Sequence, residues 1–211
     1  MKPDVDYTLY LVTDRSLMSS KTIEESVELA VLGGCTLVQL REKNVSSREF
    51  FEIAVRIQKL TSKLGVPLII NDRVDIAIAV NADGVHVGQE DIPTDAVRRM
   101  IGPDKIVGAS ASNLSEALTA VNSGADYIGV GAMYATDTKN NAAITTMDEL
   151  RIIRKAVKLP IVVIGGINRE TAQRFNRIGV DGLAVVSAIV AQKDVRAAAE
   201  GIKSAFLNRE G

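Results

Sequence analysis

The sequence predicts a single (β/α)8 barrel over residues 1–211, and three observations carry that prediction. Eight short runs rich in Val, Ile and Leu recur at residues 7–12, 36–41, 67–71, 84–87, 106–110, 126–131, 161–165 and 182–187. Each is followed by a segment able to form a helix, with 3.6-residue periodicity over residues 46–64, 113–122, 147–157 and 168–178. A similar small turn recurs before several of the runs: Gly33-Gly34-Cys35, Asn81-Ala82-Asp83, Gly124-Ala125-Asp126 and Gly179-Val180-Asp181. Glycine in such a turn takes the left-handed conformation that ends a helix, so the repetition reads as one βα unit used again and again.

Local chemistry supports the individual elements. Ser46 lies three residues before Glu49, and Ser112 or Asn113 precedes Glu116, both patterns that cap a helix N-terminus. Asp91 lies two residues before Pro93, which suits the first turn of the next helix. An open doubly wound sheet is the competing architecture, with its phosphate site at the first strand–helix turn. Here that turn reads Val12-Thr13-Asp14-Arg15-Ser16, without glycine, while the glycines gather after the seventh run. The barrel is the better fit.

Composition narrows the function. Twenty-five basic residues against 26 acidic ones argue against a dedicated nucleic-acid surface. A single cysteine excludes an internal disulfide framework, and neither a signal-peptide core nor an apolar run of membrane-spanning length is present. The expectation is a cytoplasmic protein acting on small molecules, with no membrane or nucleic-acid partner and with self-association left open.

In a barrel, function belongs at the C-terminal ends of the strands. Alternation along the second run puts Gln39, Arg41 and Lys43 on one face and Val38 and Leu40 on the other. A guanidinium and an ammonium aimed at one cavity call for an anion; the competing reading is an ion pair of Arg41 with Glu42 or another acid. Asp72 and Asp91 follow neighbouring strands, so their carboxylates have the means to converge as a magnesium site, unless each merely caps a helix. Residues 135–142 lack a strong pattern, and their hydroxyls and Lys139 suit a loop that closes on phosphate. Ile164-Gly165-Gly166-Ile167 and Val185-Val186-Ser187-Ala188 occupy the two loops that commonly bind phosphate through backbone N–H groups in this fold. His86, the one histidine, reads as a packing residue, and Cys35, at the opposite end of the strands, reads as core.

These segments resemble the thiamine-phosphate synthase family. The resemblance is carried by Tyr10-Leu11-Val12-Thr13-Asp14, Gln39-Leu40-Arg41-Glu42-Lys43, Ile70-Asn71-Asp72-Arg73 and Gly84-Val85-His86-Val87-Gly88-Gln89-Glu90-Asp91. It continues through Thr136-Asp137-Thr138-Lys139, Val163-Ile164-Gly165-Gly166-Ile167 and Val185-Val186-Ser187-Ala188-Ile189, in order from about Tyr7 to Ile189. One departure is Tyr134-Ala135, where many relatives carry Phe-Pro.

The resemblance implies a (β/α)8 enzyme that joins a pyrimidine diphosphate to a thiazole phosphate and releases pyrophosphate. It implies that Gln39, Leu40, Arg41, Glu42, Lys43 and Asn71 hold the pyrimidine diphosphate, and that Asp72 and Asp91 bind Mg2+. Ser110 would contact the pyrimidine, Thr136, Asp137 and Thr138 the thiazole, Lys139 the diphosphate, and Gly166, Val186 and Ser187 the thiazole phosphate. Arg41, Lys43 and Lys139 would supply the charge that assists departure of pyrophosphate. Two rivals stand beside this reading: a thiazole tautomerase of the same fold, and a non-catalytic barrel that senses a phosphate ligand.

Overall fold

A computed structural model describes residues 2, 4–135 and 144–208. Among the described residues, eight parallel strands close into one barrel in sequence order. They are β1 (Leu9–Val12), β2 (Leu37–Leu40), β3 (Leu68–Asn71), β4 (Gly84–Val87), β5 (Ile106–Ala111), β6 (Tyr127–Val130), β7 (Ile161–Val163) and β8 (Gly182–Val185). Closure is made by β1, which pairs on one side with β2 (Tyr10 beside Leu37) and on the other with β8 (Tyr10 beside Ala184). The intervening helices are α1 (Ile23–Leu32), α2 (Ser47–Leu64), α3 (Val74–Ala79), α4 (Thr94–Ile101), α5 (Leu114–Asn122) and α6 (Met147–Ala156). The outer ring is completed by α7 (Arg169–Ala172), α8 (Ser187–Val190) and α9 (Val195–Leu207).

Two-residue alternation divides the core. Leu9, Leu11, Val38, Leu40, Leu68 and Ile70 face the helices, in one continuous apolar layer with Val27, Phe50, Ile53 and Ile57. Tyr10, Val12, Leu37, Ile69, Ile106, Tyr127, Val162 and Ala184 fill the barrel interior. The interior is therefore packed toward its N-terminal end and becomes polar toward the other, where Gln39, Asn71, His86 and Ser110 continue the same inward-facing rows.

The recurrent turn has a second job. Gly34, Asn81, Gly124 and Gly179 all take positive φ, at 99°, 53°, 84° and 80°. Two residues on, a polar side chain accepts the first N–H of the preceding strand or, for β5, the second. Thr36 Oγ1 accepts from Leu9 N at 3.2 Å, and Asp83 Oδ2 from Leu68 N at 2.8 Å. Asp126 Oδ2 accepts from Val107 N at 2.9 Å, and Asp181 Oδ2 from Ile161 N at 2.8 Å. The turn thus ends a helix and ties off the start of the neighbouring strand, whose N–H has no other ladder partner there.

Ser46 caps α2 by accepting from Glu49 N, and Asn113, not Ser112, caps α5 by accepting from Glu116 N. Each such cap contributes about 1 kcal/mol. Two local expectations differ. Pro93 stands at the N-cap of α4, one residue ahead of its first turn. The helix expected over residues 168–178 ends at Ala172 and tightens into a 3-10 turn over Gln173–Phe175. That turn brings Phe175 edge-on to Tyr134, with ring centroids 6.3 Å apart. Among the described residues no helix is long and apolar enough to cross a membrane.

Candidate active site at the barrel mouth

The C-terminal ends of the strands surround a cavity of about 630 Å3. The second strand builds one wall. Gln39, Arg41 and Lys43 line the cavity, as their common phase requires. Leu40 is fully buried in the layer beneath the helices. Glu42 turns away as well: its carboxylate accepts from Arg15 Nε at 2.9 Å, and its Oε1 has no hydrogen-bond partner among the described residues. Burial pushes the Glu42 carboxyl above its ordinary range, against the opposing pull of Arg15. Arg41 both faces the cavity and donates to Asp14 at 2.9 Å, so the ion pair foreseen as an alternative forms with Asp14 and not with Glu42.

Asp72 and Asp91 share the adjoining wall. Asp72 follows β3 with a φ of 61°, a left-handed conformation uncommon outside glycine, and its N–H is held by the carbonyl of His86 at 2.8 Å. Its carboxylate accepts from Lys43 Nζ at 2.5 Å. Neither aspartate caps the helix that follows it. The N-cap of α3 is Arg73 and that of α4 is Pro93, both without a side-chain cap, while Asp91 Oδ2 accepts from Gly88 N at 2.7 Å. Burial first, then the neighbouring Asp72 carboxylate, raises the Asp91 carboxyl above its ordinary range. Two carboxylates crowded in this way suit a divalent cation that also takes oxygens from a phosphorylated ligand. Among the described residues no group of three or more His, Cys, Asp or Glu side chains offers a complete metal cage.

Backbone dominates the opposite wall. Gly165 and Gly166, just past β7, take φ values of 96° and 65°, and a side chain on either would meet Ala132 Cβ or Tyr134 Cβ at 2.6 Å. Val186 and Ser187, past the neighbouring β8 at the start of α8, line the same wall beside them. Asn71 and Ser110 close the ring from β3 and β5. Of the residues singled out from sequence, Gln39, Arg41, Lys43, Asn71, Asp72, Asp91, Ser110, Gly166, Val186 and Ser187 therefore line one cavity. The side chains of Leu40 and Glu42 do not, and Thr136, Asp137, Thr138 and Lys139 lie outside the described residues.

Sequence reasoning missed the polar floor. Gln39 Nε2 donates to Tyr10 Oη at 2.7 Å, and Tyr10 Oη meets Tyr127 Oη at 2.8 Å. Tyr127 Oη meets His86 Nδ1 at 2.9 Å, and His86 Nε2 meets Ser110 Oγ at 3.0 Å. His86 is satisfied, as expected of a packing residue, but it also lines the cavity. The available signal was strand phase: His86 sits two residues after the inward-facing Gly84 and pairs in register with Asn71.

Comparison with known proteins agrees with this architecture. The family model described as thiamine monophosphate synthase matches residues 9–189. The thiamine-phosphate synthase of Clostridium beijerinckii is 59% identical over 207 residues, covering 98% of this chain and 99% of the relative. That of Ruminiclostridium cellulolyticum is 54% identical over 209 residues, covering 99% and 100%. The solved thiamine phosphate pyrophosphorylase of Pyrococcus furiosus superposes with a TM-score of 0.88 at 42% identity, covering 95% of this chain and 96% of that one. With relatives aligned almost end to end and a solved member superposing over nearly the whole chain, the chain belongs to the thiamine-phosphate synthase family, pyrimidinylmethyl transferases of thiamine biosynthesis.

Proposed function

We propose that this chain couples 4-amino-2-methyl-5-hydroxymethylpyrimidine diphosphate with thiazole phosphate by a dissociative substitution. The bond between the methylene carbon and the diphosphate oxygen breaks first, and its electron pair leaves with pyrophosphate. The amino-pyrimidine ring carries the resulting cation until the thiazole nitrogen donates its lone pair and closes the new C–N bond. No strong general base is needed, only charge where the leaving group develops it and a nucleophile held close.

The observation that carries this reading is the division of the cavity. Arg41 and Lys43 stand beside the Asp72–Asp91 pair on one wall, and the two glycines stand beside Val186 and Ser187 on the other. In this assignment the first wall takes the diphosphate and the second the thiazole phosphate. Asp72 and Asp91 would hold Mg2+, which would supply positive charge at the diphosphate. The donor set fits: a cation would offset both the burial and the nearby Asp72 carboxylate that raise the Asp91 carboxyl. Arg41 and Lys43, joined by Lys139, stabilise the departing pyrophosphate, and Gln39, Asn71 and Ser110 orient the pyrimidine. Leu40 and Glu42 can reach a ligand only through their backbone, because their side chains face away. Thr136, Asp137 and Thr138 contact the thiazole. A tautomerase of this fold has no use for the cation–carboxylate wall.

The test is pyrophosphate release by the purified protein given both substrates, with and without magnesium. Magnesium-dependent release that requires the thiazole partner is the expected result. Binding of thiazole phosphate without any release would return the tautomerase or the sensor.

A further inference from the structure

The chain of hydrogen bonds across the barrel floor has a direction. Gln39 Nε2 is a donor, so Tyr10 Oη accepts from it and its own single proton goes to Tyr127 Oη, 2.8 Å away. Tyr127 then has its proton for His86 Nδ1. A ring that accepts at Nδ1 carries its proton at Nε2, and this one reaches Ser110 Oγ. Ser110 accepts there and keeps its own proton for the cavity. At the far end, Gln39 spends one of its two amide N–H bonds on Tyr10, and turning Nε2 inward turns Oε1 toward a ligand.

The surroundings preserve this order. Tyr10 and Tyr127 are at most 1% exposed, so water does not interrupt the chain. Burial also pushes both hydroxyls well above their ordinary range, which keeps the two protons in place. A side chain at Gly108 would stand 2.2 Å from Tyr127 Cζ and 2.4 Å from His86 Nδ1, so glycine there is what lets the two rings meet.

We infer that Tyr10, Tyr127 and His86 are positioning residues, a one-way hydrogen-bond chain that makes Gln39 present an acceptor and Ser110 a donor, and so selects an aminopyrimidine over the corresponding pyrimidinone. An aminopyrimidine offers an exocyclic N–H and unprotonated ring nitrogens, the complement of that pair. A pyrimidinone replaces the amino group by a carbonyl, which sets acceptor against acceptor at Gln39. If the Gln39 amide were turned over, every proton in the chain would shift, His86 would become the Nδ1–H tautomer, and the preference would reverse. The inference rests on the proposed placement of the pyrimidine against Gln39 and Ser110.

His86 is the one histidine in the sequence, so its nitrogens can be read without assignment in untagged, 15N-histidine-labelled full-length protein. The expected result is the neutral Nε2–H tautomer, losing its dominance in Tyr127→Phe. The Nδ1–H tautomer, a doubly protonated ring, or a tautomer unmoved in folded Tyr127→Phe would overturn the direction of the chain. Calorimetry with 4-amino-2-methyl-5-hydroxymethylpyrimidine and its 4-oxo analogue reads the consequence. Tyr10→Phe, which spares the Tyr127–His86 bond, should keep the Nε2–H tautomer while the amino-over-oxo preference falls about tenfold. An unchanged preference in Tyr10→Phe overturns the selectivity, even if Tyr127→Phe does not fold. Failure of pyrophosphate release in the unmodified protein would strike at the synthase reading instead, leaving the tautomer measurement standing.

Discussion

Lys43 Nζ donates to Asp72 Oδ2 at 2.5 Å across the gap between β2 and β3. The cation proposed for the diphosphate and a carboxylate proposed for the metal thus neutralise each other. In the proposed reading a diphosphate and Mg2+ compete for the two partners of this pair, and the Lys43 side chain is about half exposed.

Replacing Lys43 should separate its two roles. Lys43→Ala is expected to lower kcat/KM by about 100-fold or more, the scale for losing one preorganised donor to a developing charge. Thiazole phosphate affinity should stay within about twofold. With its competitor gone, Asp72 should bind Mg2+ up to about fivefold more tightly in the absence of substrate, since a partly exposed ion pair contributes roughly 0–1 kcal/mol. Steady-state kinetics and metal titration check the three together, and weaker Mg2+ binding would contradict the competition.

The Asp91 carboxyl is raised by burial and by Asp72, so its ionised form costs the fold stability at every pH above the ordinary carboxylate range. That cost is relieved as pH falls through the raised value. At neutral pH, Asp91→Asn should therefore unfold at a slightly higher temperature than the parent, a gain below about 1 kcal/mol for partly exposed charges. Mg2+ at ten times its Kd should stabilise the parent by about 1.4 kcal/mol, roughly 3–6 °C in Tm, and Asp91→Asn much less. Asp72→Asn should lose the same response and, like Asp91→Asn, need more magnesium for turnover. Equal Tm gains on adding magnesium to all three proteins would remove the aspartates from the metal site.

Gly166→Ala should damage the glycine wall alone. The added Cβ would lie 2.6 Å from Tyr134 Cβ on a backbone at φ 65°. A cost of about 1–3 kcal/mol is expected in urea unfolding, with thiazole phosphate binding weakened more than pyrimidine diphosphate binding. A variant as stable as the parent with full thiazole phosphate affinity would argue against a cradle there.

Alkaline pH should destabilise the fold in two stages. Burial pushes the Cys35 thiol up to about 12 and raises the Tyr7, Tyr10 and Tyr127 hydroxyls. The folded chain holds these protons longer than the unfolded one. Their contribution is complete below the unfolded values, about 8.5 for cysteine and about 10 for tyrosine, and is lost as pH rises toward the folded ones. The urea midpoint should begin to fall near pH 8.5, and Cys35→Ala should postpone that onset toward pH 10. An onset unmoved by the substitution would mean that Cys35 is not held neutral by the fold.

Much of this protein was determined by sequence alone, because its signals act over neighbouring residues. The eightfold alternation, the left-handed turns at Gly34, Gly124 and Gly179, the cap at Ser46, and the split of Gln39, Arg41 and Lys43 from Leu40 all follow from local periodicity and backbone sterics. What depended on strands meeting across the closed barrel was decided by tertiary structure alone. Sequence offers no partner for Arg41 more compelling than the adjacent Glu42, yet alternation sends Glu42 outward to Arg15 and the register of β1 beside β2 brings Asp14 to Arg41. It favoured a metal for Asp72 and Asp91 together, with helix capping as the rival, and only the folded backbone moved both away from their helix N-termini. His86 looked like packing because its partners, Tyr127 and Ser110, lie 41 and 24 residues away. Barrel closure is what turns those separations into hydrogen bonds.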